Sequence, residues 1–396
     1  MFIDIAGFGL VALLAPGALY LLVLTVAAML PARRRAPDAR AHAPAARLAI
    51  VVPAHDEAAG LGATLASLRE AAAGDAACTI VVVADNCTDD TALVAARAGV
   101  DVLERRDPQR RGKGYALRFA FANLPAFDWF LVIDADSRFD RASLDAVRAA
   151  IRRGAQALQC RYLAVRAGGA PMRAHGALAE VAWFGWNLVR PRGRARLGCS
   201  AGVLGNGFAL SRETLAHVPY DSTSIVEDVD YHVRLLKAGR RVEWVDEATV
   251  RAPVAPDRRA ASTQRARWTG GRLALLRAQW LPCLRAVAAG RWRCIDALGD
   301  LLLPPLTWFV AVVAVAAAWP VAAVSASGFA MLGIVALHVA VAMRAGRASR
   351  RHWLALLRLP LHLAWSLTGL PHALRCARGT AAWVRTPRGP QAGDPQ

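Results

Sequence analysis

Lysine is almost missing from this chain. Of its 49 basic residues, only Lys113 and Lys237 are lysines. With so many alanines and arginines beside them, this reads as the coding bias of a GC-rich genome, so a lysine kept against that bias is a candidate for a specific role. Compact basic clustering of the nucleic-acid kind is missing too. The net charge is +19, but the arginines are scattered and densest beside apolar runs, where anionic lipid headgroups attract them. Nucleic acid is therefore not expected as a partner. Metal-ligand cysteine pairs are absent as well. Cys78, Cys87, Cys160, Cys199, Cys283, Cys294 and Cys376 are an odd count, which argues against a disulfide framework and points to reduced, cytosolic thiols. There are no internal repeats, and no low-complexity tract beyond the alanine bias.

Charge is wholly absent from two long stretches. Phe8 to Leu30 is long enough to cross a hydrocarbon core of roughly 30 Å. Leu301 to Met343 is too long for one crossing and predicts two helices, with a turn near Trp319-Pro320 or Ser325–Gly328. The amino end M-F-I-D has no positive charge and no small-x-small site follows, so a cleaved signal peptide is not expected. Arg33, Arg34 and Arg35 follow the first run, and Arg344 to Arg351 follows the second. By the positive-inside rule both clusters lie in the cytoplasm. The expectation is a multi-pass protein of the cytoplasmic membrane with its soluble part inside. The expected organisation is a transmembrane helix over 1–30, a linker over 31–46 and a catalytic domain over 47–280. An interfacial helix over 281–300 and two transmembrane helices over 301–343 follow. A basic loop, an interfacial or re-entrant segment and a cytoplasmic tail complete 344–396.

The 55 % hydrophobic content is patterned between these runs. L-A-I-V-V, T-I-V-V-V-A, D-V-L-E and W-F-L-V-I are short β-branched runs suited to strands buried on both faces. Helical patterns alternate with them at Glu57–Glu70, Thr91–Ala98, Tyr115–Asn123 and Ser143–Arg152. This rhythm predicts an α/β fold with a mostly parallel sheet covered on both faces. Ligands of such sheets bind beyond the carboxyl ends of the strands.

What stands at those ends is polar. P-A-H-D-E (53–57), D-N-C-T-D-D-T (85–91), R-R-D-P-Q-R-R-G-K-G (105–114) and D-A-D-S (134–137) each follow a strand. Any one alone is a turn or a helix cap. Four on one rim imply a site. Strand alternation would place Asp134 and Asp136 on one side. Two facing carboxylates repel unless a cation lies beside them, and hard oxygens suit Mg²⁺ or Mn²⁺. R-G-K-G sets the Lys113 ammonium between two glycines, as phosphate approach requires. Further on, G-N-G-F starts at Gly205. S-I-V-E-D-V-D-Y predicts a helix whose first turn carries Glu227 and Asp228. Those acids either complement the helix dipole or supply a general base.

The ordered set V-V-P-A-H-D-E, A-D-N-C-T-D-D-T, R-G-K-G-Y-A-L, D-A-D-S, G-N-G-F, V-E-D and Q-R-A-R-W resembles the membrane-embedded family 2 glycosyltransferases. These are the group of cellulose, chitin, hyaluronan and poly-N-acetylglucosamine synthases. The match covers about residues 48 to 275, and W-V-R-T-P-R (383–388) is similar to a tail motif of the group. The resemblance implies a GT-A fold, a nucleotide-sugar donor of the UDP-linked kind and inversion at the anomeric carbon. It implies that Asp85 holds the base or ribose, with Pro53 and Glu57 lining that pocket and Lys113 reaching the diphosphate. Asp134 contacts the donor and Asp136 ligates Mg²⁺ or Mn²⁺. Asp228 is the base, beside Glu227, and Gly205 and Asn206 lie at the acceptor. Gln264, Arg267 and Trp268 match Q-x-x-R-W, with Gln264 on the donor, Arg267 facing the diphosphate and Trp268 against the acceptor sugar. The plainer alternative for that motif is interfacial anchoring by Arg and Trp. Two departures stand out: Ala84 where many members carry Asp, and Val226 where others carry Thr. The implied partners are a glycan or lipid-linked acceptor and membrane lipids, for cell-surface or exopolysaccharide synthesis. A single-addition glycolipid enzyme and a non-catalytic scaffold or sugar-nucleotide sensor are the alternatives.

Overall fold

A computed structural model describes residues 2–32, 45–165, 174–222, 224–253 and 258–367. The chain divides into two compact units. One is α/β and comprises Arg34–Ala170, Ser200–Ala261 and Ala382–Gln396; the other is helical and comprises Met1–Arg33, Pro171–Cys199 and Ser262–Ala381. The catalytic stretch expected over 47–280 is thus interrupted, because 174–199 and the chain from 262 pack with the helices. The tail motif at 383–388 lies outside the described residues, as does most of the linker.

The α/β unit holds strands β1 (Leu48–Ala54), β2 (Cys78–Asp85), β3 (Asp101–Arg105), β4 (Trp129–Val132), β5 (Arg138–Phe139), β6 (Ala157–Val165), β7 (Phe208–Ser211) and β8 (Glu243–Pro253). They form one sheet in the order β3-β2-β1-β4-β7-β6-β8-β5. The first four strands are parallel; β1, β2 and β4 are continuous apolar runs buried on both faces, and β3 is a half-polar edge. Leu48, Ile50 and Val52 face one core with Leu61, Leu65, Val147 and Ile151. Ala49 and Val51 face the other with Leu117, Phe121, Tyr231 and Leu235. Period-two alternation therefore puts helices Ala58–Ala72 and Arg141–Arg152 on one face, and Lys113–Asn123 and Glu227–Lys237 on the other.

The other half adds antiparallel pairings to the expected mostly parallel sheet. β7 runs antiparallel to β4 and β6, β8 runs parallel to β6, and β5 runs antiparallel to β8. The sheet is mixed. Its second half is half-polar, so no unbroken apolar run marked those strands. Strand order reverses at β1, between β2 and β4. That is where a crevice opens beyond the carboxyl ends in such sheets.

In the helical unit, Phe2–Met29 and Ala322–Ala345 are long and apolar enough to cross a membrane. The expected first partner of the second helix is shorter than predicted. Leu306–Ala317 has 12 residues, roughly 18 Å of helix, too little for one crossing. It is joined to Cys294–Leu302 through a 70° bend. The turn before Ala322 falls at Trp319-Pro320, while Gly328 lies inside the helix. The expected interfacial helix over 281–300 is split, since Arg258–Ala288 ends within it and Cys294–Leu302 begins. Between Ala174 and Leu197 the helix contains one π turn, Gly185–Val189, where the Arg190 N–H bonds to the Gly185 carbonyl. Gly185 makes room for His338, since a Cβ there would meet His338 Nε2 at 2.6 Å.

Candidate functional site

The rim beyond β1, β2 and β4 is built from tight turns. Asp56 and Asn86, at the ends of β1 and β2, both have left-handed backbone, φ 52° and 54°. Such strain in non-glycine residues persists where surrounding contacts hold it. Asp56 Oδ1 accepts the N–H groups of Thr88 at 2.6 Å and Asp89 at 3.3 Å. The Glu57 N–H donates to Thr91 Oγ1 at 2.8 Å. His55 Nδ1 lies 2.7 Å from the Asp85 carbonyl, a structural contact. Pro53 is within β1, one residue before its end.

Asp85 is buried and receives Arg105 Nη1 at 2.5 Å. Arg105 also donates to Asp107 Oδ2 at 3.1 Å and to the Arg110 carbonyl at 2.8 Å. Arg105 opens the R-R-D-P-Q-R-R-G-K-G stretch, but nothing in that stretch gives its guanidinium a role. It lets a carboxylate sit almost dry at the rim, and it braces the loop leading to Lys113.

R-G-K-G is explained glycine by glycine. Gly112 has φ 125°, which side chains rarely adopt. A Cβ on Gly114 would lie 2.9 Å from the Ser222 carbonyl and 3.6 Å from Glu227 Cβ. The second glycine thus admits the start of helix Glu227–Lys237. Lys113 Nζ donates to Asp134 Oδ1 and to the Gly205 carbonyl. Expected at the diphosphate, this ammonium is held by protein oxygens. Burial opposes its charge, but the carboxylates of Asp134 and Glu227 outweigh that and raise its pKa.

Asp134 and Asp136 do not lie on a strand. β4 ends at Val132, and the two acids occupy a turn in which the Ser137 N–H bonds to the Asp134 carbonyl at 3.0 Å. The alternation argument is therefore corrected: turn geometry sets their directions. Asn206 is corrected too. It is 1 % exposed, so an acceptor contact is closed to it. Its Oδ1 accepts the Asp134 N–H at 3.1 Å, and its Nδ2 donates to Ser137 Oγ at 2.8 Å. Ser137 Oγ is 3.4 Å from Asp136 Oδ1. Gln159, fully buried, holds Asn206 in turn. Its Nε2 donates to the Asn206 carbonyl at 2.8 Å, and its Oε1 accepts the Leu204 N–H at 2.9 Å. Gln159, Asn206 and Ser137 form a brace behind the acid pair. Gln159 carries no motif, and only its burial reveals it.

Gly205, with φ 78°, brings the last acid in. A Cβ there would lie 3.0 Å from Asp228 Oδ2. Asp228 Oδ1 accepts the Val229 N–H at 2.9 Å. Burial, then the neighbouring Asp228 charge, pushes the Glu227 carboxyl up to about 7 against the pull of Lys113. Glu227 is thus poised to exchange a proton near neutral pH. Tyr220, also unmarked in the sequence, lies buried with its ring 4.5 Å from that of Tyr231, and its hydroxyl has no hydrogen-bond partner among the described residues. Burial, then Glu227 and Asp228, push its pKa well up.

Asp134 and Asp136 offer hard oxygen donors in one turn, a donor set that fits a divalent cation. Asp56, Cys87 and Asp89 also bring ligand atoms within 4.8 Å of one another. There Asp56 is occupied with turn N–H groups, and burial raises the Cys87 thiol pKa. That group closes a turn.

Gln264, Arg267 and Trp268 lie on helix Arg258–Ala288, in the helical unit. Their spacing puts them on one helix face. All three are half-buried, and the Trp268 ring packs 6.1 Å from that of Trp183, tilted by 49°. Trp183 is thus a packing residue.

A family model described as glycosyl transferase family group 2 matches residues 129–371. No curated protein matches the chain. Among solved structures, a mannosyltransferase from Pyrobaculum calidifontis, in complex with GDP-Man and Mn²⁺, is similar at a TM-score of 0.53 and 18 % identity; the alignment covers 90 % of this chain and 99 % of that one. Glucosyl-3-phosphoglycerate synthase from Mycobacterium tuberculosis, in complex with Mn²⁺, UDP and glucosyl-3-phosphoglycerate, gives 0.40 and 21 %, covering 57 % of this chain and 80 % of its own. The first likeness shows a GT-A-type fold.

Proposed function

The chain belongs to glycosyl transferase family group 2, and on that premise we propose that it transfers a sugar, with inversion, from a nucleotide-sugar donor to a glycan or lipid-linked acceptor at the cytoplasmic membrane. One observation carries this reading. Asp134, Lys113, Gly205, Glu227 and Asp228, spread over more than a hundred positions, meet at the carboxyl rim of the sheet.

The reaction forms a bond between the anomeric carbon and an acceptor oxygen. It breaks the bond from that carbon to the diphosphate, and the acceptor proton must go to a base. Asp228 is that base, by the resemblance and by its place against Gly205. Beside it, burial and the Asp228 charge raise the Glu227 carboxyl pKa, which makes this corner less negative than two ionised acids would. Asp136, with Asp134, would hold Mg²⁺ or Mn²⁺, and Mn²⁺ accompanies the donor in the Pyrobaculum enzyme. When bound, such an ion stabilises charge building on the departing diphosphate. Lys113 ties Asp134 to the Gly205 loop. Asp85, Pro53 and Glu57 are assigned to the base and ribose side, and a uridine donor is the expectation from the resemblance. Q-x-x-R-W is assigned to the same reaction. By the resemblance, Gln264 is assigned to the donor, Arg267 to the leaving group and Trp268 to the acceptor sugar. Membership of the cellulose and hyaluronan synthase-like type rests on those motifs.

The decisive experiment incubates membranes carrying the full chain with labelled nucleotide sugars, with and without Mn²⁺ or Mg²⁺. Release of a nucleoside diphosphate with labelled glycan or lipid supports the reading. Release of pyrophosphate, or equal turnover by wild type and Asp228→Asn, rejects it. Product size decides between chain growth and a single addition to a lipid. The second is favoured by the helical unit, whose described residues supply two candidate spans, or three if the bent pair counts as one. That is few for a polymer channel. Nucleotide-sugar binding without turnover would make the protein a sensor or scaffold.

A further inference from the structure

The helical unit contains a buried ionic cluster that the transfer reaction does not use. Arg190, Arg194 and Arg272 surround Asp300. Arg194 donates to Asp300 Oδ1, Arg272 Nη1 lies 3.2 Å from Oδ2, and Arg190 Nη2 lies 3.4 Å from Oδ1. Arg194 Nε is also 3.2 Å from Asp296 Oδ2. Tyr20 ties the two ends together. Its hydroxyl donates to Asp296 Oδ1 at 2.9 Å and accepts from Arg194 Nη2 at 2.9 Å.

Among the described residues the charges do not cancel: three guanidinium groups face two carboxylates, which leaves one surplus positive charge. The side chains of Arg190 and Arg194 are only 4 % and 5 % exposed. Arg190 is the most weakly held member, with one 3.4 Å contact to Asp300. Its Nε and Nη2 have no hydrogen-bond partner among the described residues. Its guanidinium lies over the Trp186 ring, 4.2 Å from the centroid, and Arg272 lies 4.3 Å from the same centroid. An aromatic face eases two like charges but does not satisfy N–H donors. A buried guanidinium with unmet donors is costly unless an anion completes it. The surroundings also point outward to a ligand. Tyr20 is on the candidate span Phe2–Met29, and both acids are on Cys294–Leu302, the first arm of the bent pair. Basic pockets between membrane helices bind phosphate-bearing headgroups.

We propose that Arg190, with Arg272 and Trp186 beside it, forms a site for a singly charged phosphate group, supplied by an anionic lipid headgroup or by free phosphate. Arginine's planar fork matches phosphate oxygens in pairs, and one bound negative charge would neutralise the cluster.

The test uses the full chain in a neutral detergent and follows its thermal unfolding and bound phosphorus. Three additions are compared: dioleoyl-phosphatidylglycerol, dioleoyl-phosphatidylcholine and inorganic phosphate. The proposal expects stabilisation by phosphatidylglycerol or by inorganic phosphate, whichever is the source, with phosphatidylcholine weaker. Arg190→Gln should weaken that response by about tenfold or more in concentration, and Arg190→Lys should retain part of it. Without any added phosphate, Arg190→Gln should be at least as stable as wild type, because it removes the uncompensated charge. No response to any anion overturns the proposal, and so does an unchanged response in Arg190→Gln. A variant that is less stable than wild type, or unfolded, in phosphate-free detergent does the same, for Arg190 would then be an ordinary structural pair. The assay does not read sugar transfer, so its outcome is separate from that of the proposed function.

Discussion

Two ionic clusters sit in the two units, and their balances are opposite. At the rim of the sheet one lysine stands among Asp134, Glu227 and Asp228, a surplus of negative charge. Among the described residues of the helical unit three arginines stand around two aspartates, a surplus of positive charge. The cation chosen differs as well. Lysine is a compact point charge on a flexible stem, whereas arginine is a planar fork. The first cluster raises a carboxyl pKa into the neutral range, so it suits proton transfer and cation binding. The second holds always-charged groups and leaves donors unmet, so it suits anion binding. Each surplus indicates the sign of what is missing.

The contrast can be broken most directly at Asp228. Asp228→Asn should lower kcat by about a hundredfold or more, with thermal unfolding near that of wild type. A smaller loss would remove Asp228 as the base. Next, Asp136→Asn, or removal of divalent cations by a chelator, should each cost on the order of a hundredfold in turnover. Restored rates on adding Mn²⁺ should be seen in wild type and not in the variant.

The brace should matter less. Asn206→Ala leaves the Asp134 N–H and Ser137 Oγ without their partner, at a cost of about 1–3 kcal/mol in stability. Turnover should fall more than donor affinity, which separate kcat and KM measurements would show. Asn206→Asp should not rescue it, because the Nδ2 donor is lost. The smallest effect concerns pH. Glu227 has a folded pKa of about 7, above its ordinary 4.5. Between those values the folded state binds more protons than the unfolded one. Its contribution is therefore fully present below about 4.5 and is lost as pH rises towards 7. Glu227→Gln should flatten unfolding stability between about pH 5 and pH 8, and gain relative to wild type at the upper end. A parallel profile in both proteins would show that Glu227 is not the titrating group.

The legible part of the fold was the part with a simple burial rule. β1, β2 and β4 lie between two helical layers, so the central positions of all three are apolar. β6 and β8 mix Gln159, Arg161 and Arg251 with apolar residues, and no periodic rule flagged them. The site was legible where a residue type is costly to keep: Lys113, the D-A-D acids and the V-E-D acids. It was illegible where a residue works through backbone contacts. Asn206 reads from sequence as a ligand contact, and only its two bonds to the Asp134 N–H and Ser137 show it to be a brace. Gln159 has no local signature because Leu204 and Asn206 are distant along the chain; Arg105 has near partners in Asp107 and Arg110, but its contact with Asp85 spans twenty positions.

The π turn at Gly185–Val189 has a mechanical result. One extra residue in a turn rotates everything after it by about 100° relative to an uninterrupted helix. Trp183 and Arg190 are seven apart, so a regular helix would aim them the same way. Trp183 meets Trp268, and Arg190 meets Asp300 after the inserted position. Excising that position would swing the guanidinium groups about a quarter circle around the helix axis, away from the acids they now meet.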